Sequence, residues 1–167
     1  MYRYNMKDIV YVSDINNQVP RVVFVCKESE RLDIENLKLM IYEIEGSIQR
    51  VSAQQNQEIR FFQILLDANQ RKLVFILEPC SATLDSELFR TALDKNLMAD
   101  NRNYQKLRND NILAAPELLV MKDGYRDSLF TRAIVPGKNV NQTKLPTIVK
   151  EYPDKSNIIH WAKEGEK

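Results

Sequence analysis

The chain has 167 residues with 24 basic and 23 acidic side chains, 44% hydrophobic and 28% charged. These are the proportions of an ordinary soluble domain large enough to bury its own core, and they argue against a disordered chain or one drawn to nucleic acid by charge. No apolar run nears the ~20 residues of a membrane span, and the start MYRYNMKD lacks the basic and apolar regions of a signal peptide, so neither nucleic acid nor a membrane is an expected partner and a reducing cytoplasm is the expected location.

YRYNMKDIVYV alternates bulky and polar residues and reads as a strand. After the turn residues Asp14, Asn16, Asn17 and Pro20, RVVFVC reads as a second strand able to pair with it. From Glu35 to about Ser52, Leu37, Met40, Ile41, Ile44, Ile48 and Val51 recur at helical spacing and predict an amphipathic helix. EIRFFQILLDANQRKLVFILEP holds two short β-favouring runs joined at Asp67 to Gln70, an antiparallel hairpin. Ser81, Thr83 and Asp85 then offer helix-start groups before a stripe of Phe89, Ala92, Leu93 and Leu97.

ADNRNYQKLRNDNI is polar, PELLVMKDG reads as a strand closed by Gly124, and YRDSLFTRAI as a short helix before Pro136 and Gly137. From Tyr152 the chain is charged and expected to be loosely held, with Ile158, Ile159 and Trp161 able to dock a last half-turn. The order β-β-α-β-β-α-β-α predicts an α+β fold: a mostly antiparallel sheet flanked by helices and preceded by a short β-hairpin.

No glycine-rich phosphate loop, GxSxG, HExxH or paired-carboxylate signature is present, and four glycines leave little backbone for cradling a triphosphate. Cys26 and Cys80 have no CxxC spacing and His160 is the single histidine, so no metal site is expected; both thiols are read as free and inert in apolar strand surroundings.

In GKNVNQTKLPTIV, Gly137 frees a loop, Asn141 and Gln142 supply amides, and Pro146 biases Leu145 toward an extended form, so that Lys144 is presented on a constrained turn. Its ammonium suits neutralisation of a developing oxyanion; the plainer reading is a solvated surface lysine. Asp8, beside Lys7, suits a vicinal diol such as a ribose, or is an exposed strand aspartate. Tyr2 and Tyr4 share a strand face and either stack on a base or belong to a core. Asn101, Tyr104 and Arg108 stand about a helical turn apart and are read as structural.

These segments, in this order, resemble the C-terminal region of the Gretchen Hagen family of acyl-acid amido synthetases, the auxin-responsive ligases of plants and their bacterial relatives. YRYNMKDIVYV resembles the family's hinge strand ending in Gly-Asp-Val-Val. LMADNRNYQKLR resembles its Asn-x-x-Tyr-x-x-x-Arg helix end, APELLVMKDGY its Pro-x-x-x-x-Val-x-x-Gly-x-Phe strand, and GKNVNQTKLPTIV its Gly-x-Ser-x-Asn-Gln-x-Lys-x-Pro loop.

The resemblance implies an adenylate-forming enzyme, in which ATP with Mg2+ and a carboxylic acid give an acyl-adenylate that an amino acid then attacks. It implies that a large N-terminal core domain or subunit, outside this chain, holds ATP and the acid, and that this chain is the lid. Lys144 then falls where the family's mobile lysine nears the reacting phosphate. Asp8 falls where the AMP ribose is held, with Tyr4 and Lys7 beside the nucleotide and Gly137, Asn141, Gln142 and Pro146 shaping the lysine loop. The implied division is a hinge-proximal hairpin over 1–34, a lid-like domain over 35–152 and a charged tail over 153–167.

Met1 stands one residue before the hinge motif, which suggests the lid of a longer synthetase. Lys7 replaces the motif glycine, Asn5 an arginine common in that strand, and CKES an arginine-rich turn. These departures keep open an alternative: a degenerate, non-catalytic binding or protein-interaction module of the same fold.

Overall fold

A computed structural model describes residues 5–16, 18–81, 83–134 and 143–163. In chain order they form strands β1 (Asp8–Asn16), β2 (Val19–Lys27), β3 (Arg31–Ile34) and β4 (Leu37–Met40), then helix α1 (Ile41–Gln54) and strands β5 (Ile59–Asp67) and β6 (Lys72–Pro79). Helices α2 (Ser86–Asp100) and α3 (Arg102–Asn109) lead to β7 (Glu117–Met121), α4 (Tyr125–Ala133), β8 (Ile148–Val149) and β9 (Ile158–Ala162).

The central sheet has the order β8-β5-β6-β7-β9. β5 and β6 make the expected antiparallel hairpin, turned where Asp67 Oδ1 accepts the backbone N–H groups of Asn69 (3.1 Å) and Gln70 (3.0 Å). α2 and α3 carry the chain from β6 to β7, which pair in parallel; β8 also lies parallel to β5, and β9 antiparallel to β7. The fold is α+β, as expected, with antiparallel pairs outnumbering the two parallel ones.

Side-chain alternation gives the sheet two different faces. On one, Ile64, Leu73, Phe75, Leu77, Leu118 and Val120 pack against Ile44, Ile48 and Val51 of α1 and Phe89, Leu93 and Leu97 of α2. On the other, Leu65, Val74, Ile76, Leu119 and Met121 meet Tyr125 of α4 and half-buried Trp161 of β9. Every residue of β6 is buried, which requires cover on both sides.

The helix joints are tied by polar groups. Asp85 caps α2 by accepting from Leu88 N at 3.0 Å. Asn101 caps α3 through the N–H groups of Asn103 and Tyr104, while its own amide donates to Glu43 of α1 at 3.1 Å. Tyr104 and Arg108 both donate to Asp94 of α2, so Asn101, Tyr104 and Arg108 hold the α2–α3 corner together in the structural role expected of them.

Four segments depart from the sequence reading, one of them the two-residue β8, which lies inside the stretch read as a loop. Residues 31–40, whose second half was read as the start of the helix, form the β3–β4 hairpin, because Leu32, Ile34, Leu37 and Leu39 alternate inward and α1 starts only at Ile41. The polar stretch 102–109 is a helix, α3, that buries only Tyr104 and Leu107. The end expected to be loosely held supplies β9, whose Trp161 and Ala162 pair with Leu119 and Leu118. No helix among the described residues is long and apolar enough to cross a membrane.

Phe75 is fully buried in the larger cluster. Phe75→Ala is expected to cost about 3–5 kcal/mol of stability in urea titration. A loss below about 1 kcal/mol, the range of an average substitution, would mean that this face is not tightly packed.

Candidate functional site

The second face of the sheet carries buried polar side chains where β5, β6 and β7 bury none on the first. At alternate positions of β5, β6 and β7 it presents Gln63, Lys72, Glu78 and Glu117, each buried. Buried polar groups are costly unless satisfied, and each of these has partners.

Glu78 accepts from the backbone N–H groups of Gly124 (2.9 Å) and Arg126 (2.7 Å) at the start of α4, with the Arg60 guanidinium at 3.4 Å. Gly124 takes φ 80°, a left-handed conformation suited to glycine, so the chain turns sharply from β7 into α4 and aims these donors at the carboxylate. Lys72 is ion-paired with Glu117, whose second oxygen accepts from Trp161 Nε1 at 2.9 Å.

Gln63 is central to the arrangement. Its Nε2 donates to the carbonyl of Pro146 at 2.7 Å and its Oε1 accepts from the Tyr125 hydroxyl at 3.1 Å. Burial holds the Tyr125 phenol above its ordinary range, so it stays a donor at neutral pH. One residue on, Ile64 N donates to the carbonyl of Thr147 at 2.8 Å, and Ile148 and Val149 continue the pairing with β5. The segment carrying Lys144 is therefore fastened to the sheet edge just after the lysine.

Two clefts open on this face. One, of about 670 Å³, runs between α4 and residues 145–154 and is lined by Gln63, Tyr125, Arg132, Leu145 and Pro146 among others. The second, of about 490 Å³, is lined by Lys72, Glu117, Lys155, Trp161 and Lys163. Tyr152 and Pro153 border both. Tyr152 is kept there by its hydroxyl bond to Asp67 (2.8 Å) and by its ring against Trp161, centroids 6.0 Å apart.

Lys144 is exposed, with no hydrogen bond or ion pair to another described residue, and Pro146 is the residue whose carbonyl Gln63 holds. Asp8 opens β1 and is exposed, opposite Lys27 in the register. Lys7 takes φ 56°; its N–H donates to Asn5 Oδ1 at 2.9 Å and its ammonium lies 3.7 Å from Glu28. Lys7 and Asp8 thus sit on the β1–β2 hairpin and Lys144 and Pro146 at the β5 edge, with no bond between the two groups among the described residues. Tyr4, Gly137, Asn141 and Gln142 lie outside the described residues, as does Tyr2.

The buried polar residues of the second face were not singled out from sequence. Their signal is parity: Gln63, Lys72, Glu78 and Glu117 interrupt apolar strands at positions that alternation assigns to one side. Cys80 corrects an expectation. It is exposed just beyond β6, whereas Cys26 is buried with Sγ 3.5 Å from Met40 Sδ.

The β1–β2 hairpin completes the surface. Val10, Val12, Val22 and Phe24 share one of its sides and Tyr11 and Val23 the other, and all six are 46–63% exposed. It meets the body at its base, through Cys26 against Met40, while the Glu28 N–H to Lys7 carbonyl bond of 2.8 Å closes the two ends of the hairpin on each other. An isolated two-stranded hairpin is at best marginally stable in water, and an exposed apolar patch of this kind marks a contact surface.

The model of the GH3 family C-terminal domain matches residues 42–153 of this chain. The chain belongs to the GH3 family. It is 22% identical to two indole-3-acetic acid-amido synthetases of Arabidopsis thaliana, GH3.6 and GH3.5; the alignments cover 92% and 90% of this chain and 26% of each relative. The chain thus spans about a quarter of the length of the curated relatives it matches.

Among solved structures, the GH3.15 acyl acid amido synthetase superposes with a TM-score of 0.73 at 20% identity, over 96% of this chain and 31% of that one. A GH3.15 acyl acid amido synthetase in complex with 2,4-DB gives a TM-score of 0.62 at 19% identity and the same coverage. At these identities the superpositions show the fold alone.

Asp67, which positions Tyr152 between the clefts, has its carboxyl held below the ordinary range, chiefly by the Gln70 N–H and further by the Tyr152 hydroxyl and Asn69 N–H. A depressed carboxyl contributes stability that is present above its unfolded value, near 3.9, and lost as pH falls through the folded one. Asp67→Asn should therefore flatten the loss of thermal stability below about pH 4. An unchanged acid limb would show that Asp67 does not carry it.

Proposed function

We propose that this GH3 domain is the lid of an acyl-acid amido synthetase, which closes over an N-terminal core domain or subunit during ATP-dependent acyl-adenylate formation and amide formation with an amino acid. The observation that carries this reading is the β1–β2 hairpin. It carries apolar residues on both sides and is uncovered beyond its base, the surface of a piece that works against a larger body. The share of the relatives' length that this chain spans supports the same view.

The described residues fit only part of the nucleotide. Asp8 offers acceptors suited to a ribose diol and Lys144 a free-standing ammonium for a phosphate. Gly124, the one described residue of glycine type with positive φ, serves the start of α4, and no cluster of three or more His, Cys, Asp or Glu suited to a metal occurs among the described residues. The triphosphate, Mg2+ and the acid are therefore assigned to the core, and Lys144 supplies positive charge where the α-phosphate oxyanion gains charge as the carboxylate attacks. A cytoplasmic location, expected from the sequence, is part of the proposal.

A second reading, a non-catalytic binding or protein-interaction module, draws on Lys7. A lysine held at φ 56° and paired with Glu28 occupies the place of the motif glycine and adds bulk where backbone would approach a nucleotide.

The lid reading predicts that Lys144→Ala, assembled with a competent core, slows adenylation by roughly 10²-fold, the scale of losing one positioned charge at a developing oxyanion. Because Lys144 is exposed, thermal unfolding should change by less than about 0.5 kcal/mol. Equal adenylation rates for variant and parent would remove Lys144 from the mechanism and favour the second reading.

A further inference from the structure

We infer that Gln63 is a positioning residue for Lys144, acting through the carbonyl of Pro146; this rests on the lid reading above. Gln63 is 3% exposed, in the middle of β5 and across from Ile76. A leucine there would fill the same space beside Leu65 and Ile76 with no partners required, so the packing of the sheet does not itself call for an amide.

The Lys144 segment does. A carbonyl only accepts, so the amide nitrogen must face Pro146, and that leaves Oε1 for the Tyr125 hydroxyl. The amide is thereby locked between α4 on one side and the lysine-bearing segment on the other. Proline fixes its own φ and keeps Leu145 extended. Two residues of extended chain reach at most about 7 Å, so anchoring the Pro146 carbonyl limits where Lys144 can stand.

The neighbouring backbone is a weak substitute. β8 is two residues long at the edge of the sheet, held by the Ile64 N–H to Thr147 carbonyl bond and the pairing of Ile148 and Val149. Without the Gln63 amide, the first fixed point after Lys144 moves one residue further away, to the Thr147 carbonyl. A reacting phosphate tolerates little displacement of its counter-charge, since about 1 Å of misplacement can cost roughly 10²-fold in rate.

The test uses Gln63→Leu, Gln63→Glu and Lys144→Ala in the chain assembled with its core, with kcat and KM for adenylation and thermal unfolding of each. The expected result for Gln63→Leu is a kcat lowered at least about tenfold, with KM for ATP and acid close to the parent and some loss of thermal stability, because the Tyr125 hydroxyl is left without its acceptor. Gln63→Glu separates positioning from bulk. Its buried carboxyl titrates above the ordinary range and donates to the Pro146 carbonyl only when protonated, so its kcat relative to the parent should rise as pH is lowered.

A parental kcat in Gln63→Leu, alongside an impaired Lys144→Ala, overturns the role of Gln63 and leaves the lid reading standing. Loss of kcat and stability together, with no pH-dependent recovery in Gln63→Glu, makes Gln63 structural and also overturns it. Parental rates in Lys144→Ala remove Lys144 from the mechanism, and the inference falls with that part of the lid reading.

Discussion

Alternation along β5, β6 and β7 is the constraint on which the structure depends. Because successive side chains point to opposite faces, these strands give α1 and α2 a wholly apolar face and reserve the other for a mixture of apolar and polar groups. The first face is ordinary core. The second must satisfy an amide, a lysine and two carboxylates away from water, and that requirement dictates what covers it: the start of α4 over Glu78, Trp161 over Glu117, and Tyr125 and the Pro146 carbonyl at Gln63. The parts of this GH3 C-terminal domain that lie nearest the lysine are held by polar bonds with defined directions, where the sheet's other face is covered by apolar packing.

That division suits a lid. A domain that swings over a substrate must move as one body and still deliver a single charge to a defined place. Rigidity comes from the buried β6 and the helices packed on one face, while placement comes from the bonds on the other. The β1–β2 hairpin stands apart from both, with its valines and aromatic residues open on two sides. Such a ribbon gains stability from whatever it lies against, and under the proposed function that cover is a core domain.

Elements with one dominant periodic signal were legible in the sequence. The Ile44, Ile48, Val51 stripe of α1, the β5–β6 hairpin with its Asp67 turn, the Asp85 cap and the Gly124 stop are each local features. The β3–β4 hairpin was not, because Leu37, Met40, Ile41 and Ile44 fit helical spacing as well as Leu37 and Leu39 fit strand alternation, and a short apolar run does not separate the two. α3 hides because only Tyr104 and Leu107 of its eight residues are buried. β9 hides because its stability comes from β7, some forty residues earlier in the chain, and long-range pairing leaves little local trace. At the candidate site, the loop motif pointed to Lys144 and Pro146, but the partner that fastens them, Gln63, lies 83 residues away from Pro146. A single glutamine in an apolar strand signals a buried amide without saying what it binds.

The most direct test of the lid account is the size of the native particle that carries this domain, isolated from its source cells with an antibody to the domain. The account predicts either a polypeptide well above the 19.5 kDa of this chain or a stable complex with a core subunit. A lone 19.5 kDa species with no core bound would contradict it and leave the GH3 fold serving a binding role.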